Sequence, residues 1–257
     1  MEHVRSADGT AIAMHRSGDG RPVVIIGGAF STASAASDLA EALATRGFEG
    51  ISFDRRARGE SGDTPPYAPE REVEDLRAVI DAVGGSAIVL GHSSGALLAL
   101  LAAAHGAPIE RLFLSEPPMR FGHDEPDAEL PHRLQALIDD GHPDEAVTLF
   151  QREAVGLPEA FIEQLRASTL FEHLTTLAQS TVYDAILTAA TSTPTEGMLS
   201  VAVPTTVLVG VETSPLLQRA APMLVERMPA AELVEMPESR NHAVDPAATA
   251  ALVAARS

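Results

Sequence analysis

The sequence predicts an α/β fold in which a mostly parallel sheet is covered by helices on both faces and interrupted once by an all-helical insertion. Three observations carry that expectation. Short β-branched runs bounded by glycine recur through the first 116 residues and again from residue 205. Stretches with apolar residues at helical spacing stand between them, and strands alternating with helices join in parallel through right-handed crossovers. Between residues 117 and 200 no strand pattern appears, and one short helical stretch follows another.

Taken in order, residues 10–16 make a first strand, closed by the turn Ser17-Gly18-Asp19-Gly20. Residues 22–26 are a continuous apolar run of the kind buried on both faces of a parallel sheet, and Gly27-Gly28 ends it. A short helix over 38–46 stops at Gly47, and 50–53 is the next strand. Val73, Leu76, Val79, Ile80 and Val83 fall at helical spacing within 70–83, ahead of Gly84-Gly85. Residues 87–90 form a buried strand. The helix predicted over 94–105 is apolar almost all round, as suits one packed in the middle of the fold. Residues 110–114 are a further strand. In the helical stretch, Gly141 and Gly156 read as helix stops, and Pro143 and Pro158 as first helical positions. Strands over 205–209 and 232–236 then alternate with helices over 216–227 and 245–255. The division expected is a core of residues 1–116 and 201–257, with 117–200 as a helical cap over the carboxyl ends of the strands, where open α/β sheets place their sites.

Composition removes several chemistries. The 257 residues carry 36 acidic side chains against 18 basic ones, every basic one is arginine, and cysteine and tryptophan are absent. Without lysine there is no Schiff base, and without cysteine there is no thiolate nucleophile, disulfide or cysteine-built zinc site. The formal charge of -18 disfavours nucleic acid and anionic membranes as partners. No run resembles a signal peptide or a transmembrane helix, so a cytoplasmic protein is expected. No histidine and carboxylate pair has metal-site spacing, and neither metal nor cofactor is expected.

Gly91-His92-Ser93-Ser94-Gly95 stands between a buried strand and a buried helix. A serine on so tight a turn has its hydroxyl lifted clear of the sheet, with helix N-terminal amides behind a developing oxyanion. A serine hydroxyl needs a neighbouring base. Of nine histidines, His242 lies after the last strand and before the final helix, while His92 beside the serine reads as structural. His123, His132, His142 and His173 fall in the helical stretch, and His3, His15 and His105 suggest no role.

With these residues the chain resembles the α/β-hydrolase superfamily over nearly its whole length. The likeness rests on Val23-Val24-Ile25-Ile26-Gly27-Gly28-Ala29-Phe30, on Asp54-Arg55-Arg56-Ala57-Arg58-Gly59-Glu60-Ser61-Gly62, on the serine turn, and on Ser239-Arg240-Asn241-His242. It implies an eight-stranded sheet, and an oxyanion hole built from the backbone N–H groups of Ala29 and Ser94. Gly27 replaces the usual histidine of the first segment, and Ala57 a usual glycine of the second, which reads as a loop braced by arginine–carboxylate contacts. The family's usual acid position, after strand 205–209, holds Thr213, with Glu212 beside it. Glu116, at the end of strand 110–114, is the other candidate and is favoured: zearalenone-type lactonases and some haloalkane dehalogenases keep an acid there, and Ser-Ser-Gly-Ala followed by Glu-x-Pro resembles the lactonases.

The resemblance implies a serine hydrolase cleaving a carboxylic ester or lactone through Ser93, His242 and Glu116, or Glu212 in its place. Dehalogenation needs an aspartate at the turn and is disfavoured. A cofactor-free cyclase or lyase, or a ligand-binding receptor, could use the same pocket. The expected partner is a neutral, fairly apolar small molecule, and Phe30, Met119, Phe121, Phe150 and Tyr183 are candidate pocket residues, although large apolar residues of such a helical stretch are more often helix-packing core.

Overall fold

A computed structural model describes residues 1–257. Its strands are β1 (Glu2–Arg5), β2 (Ala11–Ser17), β3 (Arg21–Ile26), β4 (Phe48–Phe53), β5 (Ala87–His92), β6 (Ile109–Ser115), β7 (Thr205–Glu212) and β8 (Ala231–Arg240). They form one eight-stranded sheet in the order β1-β2-β4-β3-β5-β6-β7-β8. β2 runs antiparallel to both β1 and β4, and every other pairing is parallel. β1 has no counterpart in the predicted strands. It is a four-residue edge strand, mostly exposed, and offers no apolar pattern to read.

The continuous apolar runs have the expected cause. Val24 and Ile26 of β3 and Ala87 and Val89 of β5 face one core, whereas Val23, Ile25, Ile88 and Leu90 face another. The first core is closed by α2 (Pro69–Ala82), α3 (Ser94–Ala104) and α10 (Pro215–Arg227), the second by α1 (Ser37–Ala44) and α11 (Pro246–Arg256). Nine consecutive α3 residues, Ser94 to Ala102, are buried. Asp245 caps α11 by accepting the Ala248 N–H at 2.8 Å.

Between β6 and β7 there are only helices: α4 (Leu130–Asp139), α5 (Pro143–Phe150), α6 (Glu159–Arg166), α7 (Thr169–Thr176), α8 (Ala178–Thr191) and α9 (Glu196–Leu199). Pro143 opens α5 as expected. Pro158 lies one position outside α6, as its N-cap in extended conformation. A single π-helical turn, Gln151–Val155, prolongs α5 and ends at Gly156 in left-handed conformation (φ 76°). No helix is long and apolar enough to cross a membrane.

Candidate active site

The turn from β5 to α3 holds Ser93 at φ 54° and ψ -123°, a conformation that L-residues rarely adopt. Two close approaches make it possible. A Cβ on Gly91 would lie 2.3 Å from the Gly95 carbonyl oxygen, and a Cβ on Gly95 would lie 2.3 Å from that of Ile26. Only glycine fits at either place, and the serine between them is pushed out at the carboxyl end of the sheet. The Ser93 N–H donates to the Ser115 carbonyl at 2.9 Å, tying the turn to β6.

Immediately after β6, Glu116 takes φ 49° and is buried. Its N–H donates to the Leu208 carbonyl of β7, and its Oε1 accepts the Gly210 N–H at 2.9 Å. Its Oε2 accepts from His242 Nδ1 in a short hydrogen bond. Burial alone would raise the carboxyl pKa; the bonds from His242 and Gly210 outweigh it and hold Glu116 below the usual glutamate range. With Nδ1–H committed to Glu116, Nε2 of a neutral His242 is left as the basic nitrogen. The ring of His92 lies 4.6 Å from that of His242, and burial together with the His242 charge pushes the His92 pKa down to about 4. His92 bonds through Nδ1 to the Ser115 hydroxyl and stays neutral.

Ser93 and His242 line one cavity of about 430 Å³ between the sheet and the inserted helices. Ala29 and Ser94 line it too, and neither backbone N–H is taken by another protein acceptor. The wall is largely apolar, with Leu130, Phe150, Leu157 and Leu217, and its charged side chains are Arg120 and Asp184. No group of histidine, cysteine and carboxylate side chains is arranged to hold a metal ion.

The sequence profile of the alpha/beta hydrolase family matches residues 23–255. The chain belongs to that family. A solved alpha/beta hydrolase from Sphaerobacter thermophilus is 42% identical, covers 99% of both chains and superposes with a TM-score of 0.91. The enol-lactonase from Burkholderia xenovorans is 18% identical with both chains fully covered and a TM-score of 0.71, a likeness of fold alone. Among curated proteins, the N-formylmaleamate deformylase of Pseudomonas putida is 37% identical over 106 residues, 40% of this chain. The match spans only 39% of that relative's length.

In this alpha/beta hydrolase the other candidates fall as follows. Glu212 is exposed at the end of β7 and pairs with Arg240 at 3.4 Å, so its carboxylate is not the one on His242. Phe150 lines the cavity. Phe30 packs edge-on against Phe150, with ring centroids 5.5 Å apart. Met119 and Phe121 are buried in the main core, Phe121 beneath the Arg227 guanidinium, and line no part of the cavity. Tyr183 turns away as well. It stacks on Tyr67 at 4.0 Å and donates to Asp63 at 2.7 Å, lining a separate groove. Large apolar residues of short helices pack first against neighbouring helices, and sequence alone does not say which remain for a pocket. His123, His132, His142 and His173 are all exposed.

The arginine-rich loop after β4 is braced by carboxylates. Arg55 makes a two-point contact with Glu72 of α2, and Arg56 does the same with Asp75. Arg58 reaches Asp184 of α8 at 2.7 Å. Asp184 was not among the sequence candidates. Its signal was present, as a single carboxylate among the apolar positions of one helix, Val182 to Leu187.

Proposed function

We propose that the protein is a serine hydrolase that cleaves a carboxylic ester or lactone through an acyl-enzyme on Ser93. The observation that carries this reading is a buried Glu116 bonded to His242, with His242 and the strained Ser93 on the wall of one cavity. Ser93 Oγ attacks the carbonyl carbon as His242 Nε2 takes its proton, and the carbonyl oxygen becomes an oxyanion between the Ala29 and Ser94 N–H groups. The bond to the alcohol oxygen then breaks, and His242 returns the proton to it. Water enters, gives a proton to His242 and attacks the acyl carbon, and Ser93 leaves reprotonated with release of the acid. Glu116 stabilises the imidazolium and keeps its own charge throughout. In this reading the inserted helices act as a cap, and the apolar wall suits a fairly apolar acyl group.

Arg120 favours a second reading of the substrate. It is the arginine of the wall; its Nη1 donates to the Asp124 carbonyl, and the neighbouring Glu125 carboxylate feels its charge but bonds instead to Ser192 and Thr193. A substrate carrying a carboxylate remote from the scissile bond would pair there. A screen of neutral esters, lactones and half-esters of dicarboxylic acids decides between the two, with Ser93→Ala as control. The wild type should turn over at least one class and label stoichiometrically at Ser93 with a fluorophosphonate, and Ser93→Ala should lose at least 10³-fold in kcat, within the effect of removing a triad nucleophile. Unchanged turnover in Ser93→Ala would sink the proposal. A folded wild type that neither labels nor hydrolyses would point to a receptor or to non-covalent chemistry.

A further inference from the structure

One carboxylate of the inserted helices is linked, through side chains, to both residues whose backbone N–H groups are assigned to the oxyanion hole. Asp184, 1% exposed on α8, accepts from Arg58 Nη2 on Oδ2 at 2.7 Å. On Oδ1 it accepts from the Ser94 hydroxyl at 2.8 Å and from Arg55 Nη1 at 2.9 Å. Arg58 goes further: its Nη1 donates to the Gly28 carbonyl at 2.6 Å and to that of Ser31 at 3.3 Å. The Gly28 carbonyl and the Ala29 N–H belong to one peptide group. Such a group is planar and trans, so the N–H points opposite to the C=O. Holding the carbonyl from behind therefore aims the Ala29 N–H forward, and a charged donor on the carbonyl also strengthens the N–H as a donor. At the other donor, the Ser94 side chain is held between Asp184 and Arg55, which fixes the first residue of α3.

We propose that Asp184 is a positioning residue for the oxyanion hole, acting through Arg58 on the Ala29 amide and directly on Ser94. The assignment rests on the reading of Ser93 as the nucleophile. Direct electrostatic help is a weaker account. Arg55 and Arg58 are offset by Glu72 and Asp184, so the cluster is neutral and its field at the cavity largely cancels. Stability is a weaker account too. Buried ion pairs contribute little relative to well-packed apolar replacements, and Arg58 keeps a buried Nε with no acceptor. What the cluster supplies is direction: two amides from distant parts of the chain, on the β3 loop and on α3, are referred to a single carboxylate. Oxyanion donors act only if they stand within a few tenths of an ångström of the developing charge.

The test uses the whole chain with 4-nitrophenyl butyrate as substrate and an alkyl trifluoromethyl ketone as a probe that becomes an oxyanion on Ser93. Asp184→Asn keeps the shape and removes the charge. We expect kcat and trifluoromethyl ketone affinity to fall together by about 10–100-fold, part of what losing an oxyanion donor outright costs. KM and butyrate affinity should stay within about threefold, since neither depends on the oxyanion. Ser94→Ala, which removes one link and little volume, should show the same pattern more weakly, and it serves if Asp184→Asn does not fold. Loss of kcat with undiminished ketone affinity overturns the proposal, as does a change in KM alone, which would mark a shape role in the pocket. A wild type that neither hydrolyses nor labels would instead undo the serine-hydrolase reading.

Discussion

At Glu116 one carboxylate oxygen takes a backbone amide and the other an imidazole, and the residue pays for its place with a positive φ. Glu212, the rival, is part of a paired strand opposite Arg240 and faces solvent. The two make a clean comparison. Glu116→Gln should lower kcat by about 10³–10⁴-fold, the effect of leaving a triad histidine in the wrong tautomer. Glu212→Gln should stay within twofold, with ester hydrolysis as the measurement. A loss confined to Glu212→Gln would transfer the role to that residue. Sequence narrowed the acid to these two, because each stands just beyond a strand at the carboxyl edge. What sets the two apart in the structure is where β7 ends. It runs on to Glu212, with a register irregularity near Gly210, so Glu212 is held in the sheet rather than freed into a loop.

Among the elements, α3 is the one on which the proposed chemistry stands. Its first turn carries Ser94 and its body is enclosed on all sides, with Leu97, Leu98 and Leu100 fully buried. Leu98→Ala should destabilise the protein by about 2–5 kcal/mol, the transfer loss plus the cavity left behind. Denaturant unfolding measures it, and a value below 1 kcal/mol would mean that the core collapses around the gap. Elsewhere local rules yield to packing. α10 contains Pro222 in its interior, which forfeits a backbone bond, yet the helix persists from Pro215 to Arg227 because Leu217, Ala220, Ala221 and Leu224 are buried beneath it. The π-turn after α5 is another case. Its sequence reads as ordinary helix, and only in three dimensions do Ala154, Val155 and Gly156 become cavity wall.

For the whole molecule, acid should be destabilising in two stages. His92 is pushed from 6.5 down to about 4 by burial and by His242, so the unfolded chain binds its proton first. The stability it contributes is complete above pH 6.5 and is lost as pH falls towards 4. Glu72, Glu116 and Asp184 are held low despite burial, by Arg55, by His242 and by Arg58 with Arg55 respectively, and their contribution is lost below the ordinary carboxylate range. Asp75, raised by burial, works the other way. The melting temperature should therefore decline from pH 6.5 downwards, and His92→Gln should flatten the stretch between 6.5 and 5. Parallel curves for the two proteins would remove His92 from the account.

The order of strands and helices, the serine turn and the late histidine were legible in the sequence, because each is written in local chemistry. Continuous apolar runs mean strands buried on both faces, and glycines two residues either side of Ser93 mean a turn too tight for any side chain. The same locality explains what was missed. β1 is a short exposed edge strand, and its pairing with β2 defines it more than its residues do. Met119, Phe121 and Tyr183 carry the same apolar character as Phe150, yet only Phe150 is left facing the cavity once the inserted helices have packed. Asp184 stands 126 residues from Arg58 and 90 from Ser94. A contact across that distance has no period and no spacing to read, so only the folded chain could bring the carboxylate to both Arg58 and Ser94.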